Sequence, residues 1–223
     1  MSRVSRRQAL AGFGSVSLGA LIAACSDDEE RPSAASEGSA ADMDDARACT
    51  LTAEQTEGPF YFDVDRIRSD IREDREGTTL RLRLRVRDQE AGCEPIRNAV
   101  VDVWHCDAEG SYSATGQTYL RGAQVTNADG IAEFTTVYPG WYPGRTVHIH
   151  VKVHLDRETV LTTQFYFADD VTARVFVDAP YPGESNRDGF NASDGLYDPN
   201  LELTVSEEGE GYVGRMTVDV ASA

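Results

Sequence analysis

The sequence predicts an all-β protein, an antiparallel β-sandwich with long loops and at most short helices. Two runs, at 78–88 and 147–155, alternate between apolar and polar residues, which is the pattern of half-buried strands. Shorter apolar runs recur between turns rich in Gly, Asp and Asn, as is typical of a sandwich. The part from 49 to 223 has the length of one domain and can bury a core.

The strand candidates follow one another along this domain. Thr78–Asp88 places leucines and a valine on one face and four arginines on the other, and we expect the arginine row to be a solvated face that pairs with carboxylates. The later candidates are a strand at Asn98–Cys106, a hairpin from Ala123–Thr126 and Ile131–Val137, a hairpin from Val147–Leu155 and Thr159–Phe167, and closing strands at Leu201–Val205 and Tyr212–Val220. Asp169–Phe176 predicts one short helix with an aspartate cap, and 178–200 predicts a long loop.

The first 25 residues predict export. Ser5–Leu10 contains the arginine pair of a twin-arginine signal, and the apolar segment after it is too short to span a bilayer. The segment ends at Leu21–Cys25, which resembles a bacterial lipoprotein cleavage box. We therefore expect Cys25 to carry a lipid that is the only membrane attachment of a cell-envelope protein facing the periplasm or the exterior. An ordinary signal peptide that is cut elsewhere is the alternative.

Composition limits the partners. Residues 26–48 are acidic and rich in Ser and Ala, which predicts a disordered tether. The net charge of −17 argues against nucleic acid as a partner, because phosphate binding needs a basic face. Cys49 and Cys93 can pair in an oxidising compartment, whereas Cys106 ends an apolar strand and is expected to be buried; the sequence leaves the connectivity open.

A histidine pair predicts a metal site. His148 and His150 lie two apart in an alternating strand, so both imidazoles point to one face. Tyr142, on a Pro/Gly-rich bend, and Tyr112, after a strand, are candidates for further ligands, with Tyr138 as the rival of Tyr142. Phenolate ligands need a strongly acidifying cation, which favours Fe(III) over Zn(II). A histidine pair on a strand is equally compatible with a polar face turned to water.

These residues resemble the intradiol ring-cleavage dioxygenase family, which includes catechol and protocatechuate dioxygenases. The matching pieces, in order along the chain, are Gln55–Tyr61, Ala99–Tyr112, Thr136–Pro143, Gly144–His150 and Thr162–Gln164. The resemblance implies a β-sandwich with one non-haem Fe(III) per chain, held by Tyr112, Tyr142, His148 and His150. It also implies cleavage of catechol-type diols with O2, between the hydroxylated carbons, to muconate-type diacids.

The same resemblance assigns catalytic roles. Tyr142 matches the tyrosinate that leaves the metal and takes up a substrate proton. Gln164 matches a glutamine near the iron. Arg145 resembles the family arginine that stabilises negative charge on the substrate, but the bend before His148 is shorter than in better-known members, so Arg145 can correspond to either of two family arginines. We expect the family's N-terminal helical dimerisation domain to have no counterpart before Gln55, and the oligomeric state is left open. The alternative from another class is a non-catalytic extracytoplasmic β-sandwich that binds a ligand.

Overall fold

The computed structural model describes residues 48–222, which form two packed β-sheets, as predicted. Within this range the strands are β1 (Thr79–Asp88), β2 (Glu94–Pro95), β3 (Val100–Trp104), β4 (Arg121–Val125), β5 (Ile131–Val137), β6 (His148–Leu155), β7 (Glu158–Tyr166), β8 (Thr204–Glu208) and β9 (Gly211–Val220). The helix α1 spans Asp169–Val175. The predicted export signal, Cys25 and the predicted tether up to residue 47 lie outside the described residues.

The first sheet is built around β1. This strand pairs with β9 on one side and with β5 and β2 on the other, and β8 flanks β9. The β1–β9 pair is parallel, so this sheet is mixed rather than wholly antiparallel. A strand from the other end of the domain can pair with β1 in either the parallel or the antiparallel direction. The alternation of apolar and polar residues does not specify which direction is used.

The second sheet has the order β4-β3-β6-β7 and is antiparallel. The predicted hairpin of β6 and β7 is therefore confirmed. The predicted hairpin of 123–126 and 131–137 is wrong, because β4 belongs to this sheet and β5 to the other. The turn between them, in which the Asn127 side chain accepts from the backbone of Asp129 and Ile131, carries the chain across the sandwich.

Aliphatic and aromatic side chains from both sheets meet between them. Leu82 and Phe134 from the first sheet and Val151 and Phe165 from the second have no accessible surface. Cys106 is buried and reduced, as expected. This core fixes the second sheet, from which the site residues project.

The arginine row of β1 is not a solvated face. Arg83, Arg85 and Arg87 are buried, although carboxylates pair with the row as expected: Arg83 contacts Glu133 at 3.0 Å and Arg87 contacts Asp219 at 2.7 Å. The arginines are buried because β1 is a central strand of its sheet, with β5 and β2 on one side and β9 on the other. The long arginine stems therefore lie against neighbouring side chains instead of extending into water.

The helix is confirmed, but its predicted aspartate cap is wrong. Ala168 is the N-cap residue and makes no side-chain capping bond. The carboxylate of Asp169 instead accepts from Arg187 and from the backbone of Asn191. The predicted long loop after the helix contains three short 3-10 helices, at Glu184–Asn186, Asn191–Ser193 and Pro199–Leu201.

Residues 49–60 form an N-terminal strap along the sandwich. Its first residue, Cys49, is disulfide-bonded to Cys93. Backbone bonds of 2.9 Å from Thr52 to Asp219 and of 2.8 Å from Gln55 to Thr162 then tie the strap to both sheets. Among residues 48–222 no helix combines the length and apolar character that crossing a bilayer demands.

Candidate metal centre

The candidate site lies at the start of β6. His148 and His150 are the first and third residues of that strand, and both are almost fully buried. Trp104 of β3 and Gln164 of β7 flank His150 as its partners in register. The predicted histidine pair is therefore an interior feature and not a face turned to water.

Four predicted ligand atoms converge on one point. The Nε2 atom of His148 lies 3.2 Å from Nε2 of His150, 3.1 Å from the hydroxyl oxygen of Tyr142 and 3.4 Å from that of Tyr112. Donors that share a metal at bond lengths of about 2 Å are separated by distances of this order. The structure thus brings together all four residues that were predicted to hold the metal.

The surroundings fix the orientation of both imidazoles. The Nδ1 of His148 lies 2.7 Å from the carbonyl oxygen of Thr146, to which it donates, so Nε2 carries the lone pair that faces the cluster. His150 stacks on Trp104, with 4.9 Å between ring centroids and 8° between planes. On another side, the backbone of Gly58 approaches so closely that a Cβ atom there would lie 3.3 Å from Cε1 of His150.

The two tyrosines differ in their surroundings. Tyr112 stacks on Phe60, with 4.3 Å between ring centroids, and Phe60 is 41% exposed. Tyr142 precedes the exposed residues Pro143 and Gly144 on the bend that leads into β6. The rival candidate, Tyr138, lies elsewhere: it is fully buried in the core and its hydroxyl pairs with Thr172 at 2.8 Å.

Arg145 and Gln164 border the cluster. Nη1 of Arg145 lies 3.4 Å from Nε2 of His148, and Nη2 donates to Oε1 of Gln164 at 2.5 Å. The amide of Gln164 in turn donates to the carbonyl oxygen of Thr56 at 2.9 Å. The guanidinium is therefore a fixed positive charge beside the four donor atoms.

Burial controls the charges of the donors. Burial, reinforced by the Arg145 guanidinium, lowers the pKa of His148 to about 3. Burial and the neighbouring His148 hold the pKa of His150 well below its ordinary value. Burial also raises the pKa of Tyr142, and that of Tyr112 well above its ordinary value. Near neutral pH the imidazoles are thus neutral, and the phenols need a nearby cation to ionise.

This donor set fits Fe(III). Two neutral imidazoles and two phenols that only a strongly acidifying cation can ionise match a hard trivalent ion better than Zn(II). The hydrogen bond from His148 to Thr146 is the outer support that metal-binding histidines usually have. The glycine at position 58 leaves room beside the Nε2 edge of His150.

Several residues of the site were not predicted as such. Asp194 holds Arg145 from the loop after α1, and Trp104 supports His150. The hydroxyl of Tyr166 lies 2.8 Å from the carbonyl oxygen of Leu196, to which it donates. No local sequence motif indicates Asp194. The contact of Trp104 with His150 could have been predicted if β3 had been paired with β6 in the correct register. The remaining histidines are structural: His105 contacts Thr136 and His154 contacts Asp102.

Comparison with known proteins identifies the family. A sequence profile described as "Dioxygenase" matches residues 56–181, which is more than half of the chain. The chain belongs to the intradiol ring-cleavage dioxygenase family, in agreement with its β-sandwich and with the order of its motifs.

Individual relatives agree. An intradiol ring-cleavage dioxygenase from Tetranychus urticae is 31% identical, with a TM-score of 0.70 over 78% of this chain and 95% of that one. The dioxygenase domain of a dioxygenase and carbohydrate-binding protein fusion from Streptomyces sp. SirexAA-E is 34% identical, with a TM-score of 0.63 over 78% of this chain and all of that one. A chlorocatechol 1,2-dioxygenase from Rhodococcus opacus is 30% identical over 53% of this chain and 57% of its own length. The matches span between 32% and 57% of the length of the curated relatives.

Proposed function

We propose that the protein is a non-haem Fe(III) dioxygenase that cleaves catechol-type diols between the two hydroxylated carbons with O2. The product is a muconate-type diacid that contains both oxygen atoms of O2. One observation carries the proposal: the hydroxyls of Tyr112 and Tyr142 and Nε2 of His150 all lie within 3.4 Å of Nε2 of His148. The names of the relatives support the substrate class.

These four residues would hold one Fe(III) per chain. When bound, Fe(III) would supply the Lewis acidity and redox chemistry that make a catecholate reactive towards O2. The histidines are suited to permanent attachment, because one is anchored to a backbone carbonyl and the other is stacked on an indole. Tyr112 is likewise restrained, by the ring of Phe60.

Tyr142 is suited to a proton-accepting role. A catechol must lose both hydroxyl protons to bind as a dianion, so a nearby group has to receive one of them. The bend that carries Tyr142 is exposed on its far side, which allows its side chain to move away from His148. We assign to Tyr142, as the phenolate that bound Fe(III) would stabilise, the acceptance of one substrate proton at its oxygen.

Arg145 and Gln164 act on charge. The guanidinium lies on the same side of His148 as the phenols and is a permanent cation at any physiological pH. It can therefore stabilise negative charge that develops on the ring-opening substrate. Gln164 holds this guanidinium through Oε1 and is itself held by the strap at Thr56.

The test combines metal, colour and turnover. Purified protein should contain about one iron per chain and show a visible phenolate-to-iron absorption band that changes when catechol is added. It should consume O2 and catechol in equal amounts, and ¹⁸O₂ should label both carboxylates of the product. His148→Ala is the control and should lose iron, band and turnover together. A colourless protein with stoichiometric zinc would refute the assignment, and full iron occupancy without O2 uptake on any catechol would favour the binding-module alternative.

We further propose that residues 1–25 direct export by the twin-arginine route, that Cys25 is lipidated, and that 26–48 tether the domain 49–223. The disulfide between Cys49 and Cys93 supports an oxidising compartment. Replacing Arg6 and Arg7 by lysine should leave precursor in the cytoplasm. Cys25→Ala should release the protein from the membrane fraction, and unchanged membrane attachment would contradict the lipid anchor.

A further inference from the structure

Asp194 lies in the loop after α1 and reaches the candidate site from outside it. Its side chain is 2% exposed, and Oδ2 accepts from Nε of Arg145 at 2.9 Å. The same oxygen accepts from the backbone N–H of Thr146 at 3.0 Å, while Oδ1 accepts from the backbone N–H of Leu196 at 2.9 Å. Three donors from two segments thus fix one buried carboxylate.

The contact with Thr146 links Asp194 to a predicted metal ligand. The N–H of Thr146 donates to Asp194, and the carbonyl oxygen of Thr146 accepts from Nδ1 of His148 at 2.7 Å. A displacement of the Thr146 backbone would therefore rotate the imidazole whose Nε2 faces the cluster. The side chain of Asp194 contacts Arg145, Thr146 and Leu196 and none of the four donor atoms, so it acts on the site through these neighbours and through its negative charge.

The contact with Arg145 orients a charge. Nε is fixed by Asp194 and Nη2 by Gln164, which leaves Nη1 directed at His148, 3.4 Å away. Two anchors on different edges define the plane of a guanidinium, whereas one anchor lets it rotate. Burial raises the pKa of Asp194, but the bonds from Leu196, Thr146 and Arg145 outweigh it and hold that pKa below its ordinary value. The carboxylate is thus a stable counter-charge near neutral pH.

We propose that Asp194 is a positioning residue for the dioxygenase reaction, holding the Arg145 guanidinium in its working geometry. The inference rests on the proposed function above. A misplacement of about 1 Å at a reacting centre can reduce turnover roughly 100-fold. Asp194→Asn keeps the size of the side chain and removes its charge, so it should lower kcat by about 10- to 100-fold while KM changes less and all four ligands still hold iron.

The matched control is Asp198→Asn in the same loop. Asp198 accepts from the backbone of Asn200 at 2.8 Å and is partly buried, and asparagine can replace it as a cap. Both variants should contain iron at the parent level. Only Asp194→Asn should shift the iron–phenolate band and lower kcat.

A double-mutant cycle with Arg145→Ala separates positioning from general stability. If Asp194 acts through Arg145, Asp194→Asn should lower kcat strongly in the parent and by less than about twofold in the Arg145→Ala background. Equal losses in both backgrounds, or a kcat of Asp194→Asn within twofold of the parent, would overturn the proposal. If Asp194→Asn does not fold, Asp194→Glu takes its place in the same cycle with the same expected pattern.

A readout independent of turnover keeps this test apart from the proposed function. Modification of Arg145 by phenylglyoxal, followed by peptide mass mapping of the iron-loaded protein, should be severalfold faster in Asp194→Asn than in Asp198→Asn. Equal rates would mean that Asp194 does not hold Arg145, whether or not catechol is cleaved. A parent that does not consume O2 would instead refute the function and leave the modification rates to decide the role of Asp194.

Discussion

Replacing Gly58 by alanine should weaken iron binding, because the backbone of this residue lies against His150. Gly58 has a φ of +69°, and a Cβ atom there would lie 3.3 Å from Cε1 and 3.8 Å from Nε2 of that histidine. His150 has little room to yield, since Trp104 stacks on it. The added methyl group must therefore displace the imidazole or the strap by a few tenths of an ångström.

The free-energy cost of Gly58→Ala has two parts. An L-residue in the left-handed region costs roughly 1–2 kcal/mol, which lowers the stability of the fold as a whole. Overpacking of a filled site costs about 1 kcal/mol or slightly more, and this part acts on the metal ligand. Since 1.4 kcal/mol corresponds to a factor of ten, iron affinity should fall roughly five- to tenfold.

Gly209→Ala is the matched control. Gly209 has a φ of +59°, but no atom lies within 4 Å of the position of its added Cβ. Both variants should lose similar stability in urea unfolding of the metal-free protein. Titration with a competing chelator, followed through the visible band, should show weaker iron binding for Gly58→Ala alone. Equal iron affinities of Gly58→Ala, Gly209→Ala and the parent would refute the argument that the strap shapes the metal site.

Three further predictions test the ligands, the disulfide and pH. Tyr142→Phe should retain iron with a weaker visible band, and its kcat should be lower by at least about 100-fold. Tyr138→Phe should keep the visible band and the kcat of the parent and lose only about 1 kcal/mol of stability. The reverse pattern in iron content and O2 uptake would exchange the roles of the two tyrosines. Replacing Cys49 and Cys93 by serine should lower the free energy of unfolding by about 4 kcal/mol, from the loop that the bond closes, and a loss below about 1 kcal/mol in urea would contradict this. Burial lowers the pKa of His105 to about 4, so between about pH 6.5 and 4 the unfolded chain binds more protons than the folded one, and the folded state loses stability as the pH is lowered. When the pH is lowered from 7 to 5, the free energy of unfolding of the metal-free parent should therefore fall by about 2 kcal/mol more than that of His105→Gln. Parallel curves of stability against pH for the two proteins would refute this prediction.

The histidine pair could be predicted because its chemistry is local in sequence. Two residues at a spacing of two on a strand share a face whatever the rest of the fold does, and Tyr142 is only six residues upstream. Tyr112 could be named as a candidate ligand from its place after a strand, but only the family resemblance predicted its convergence with the histidines, since no periodicity relates residues on different elements. Asp194 could not be predicted, because it reaches Arg145 through a loop that has no regular pattern.

The arginine row of β1 shows a different limit. Alternation correctly separates the two faces of the strand, but it does not reveal what covers each face. The arginines were expected to meet water, whereas Arg83 is fully buried beside Glu133. Coverage depends on β5 and β9, which pair with β1 from distant parts of the chain. The same cause explains the misassigned hairpin, since a turn flanked by strands can either close a hairpin or cross between sheets.

The pairing of β1 with β9 has a consequence for how the protein is made. The first long strand of the domain cannot complete its sheet until the last strand has left the ribosome, because β9 ends at Val220. Contacts between such distant segments slow folding and leave strand edges open in the meantime. Until then β1 presents an unpaired edge with a row of leucines beside it, so a chain that stops before residue 211 should aggregate rather than form a smaller sandwich.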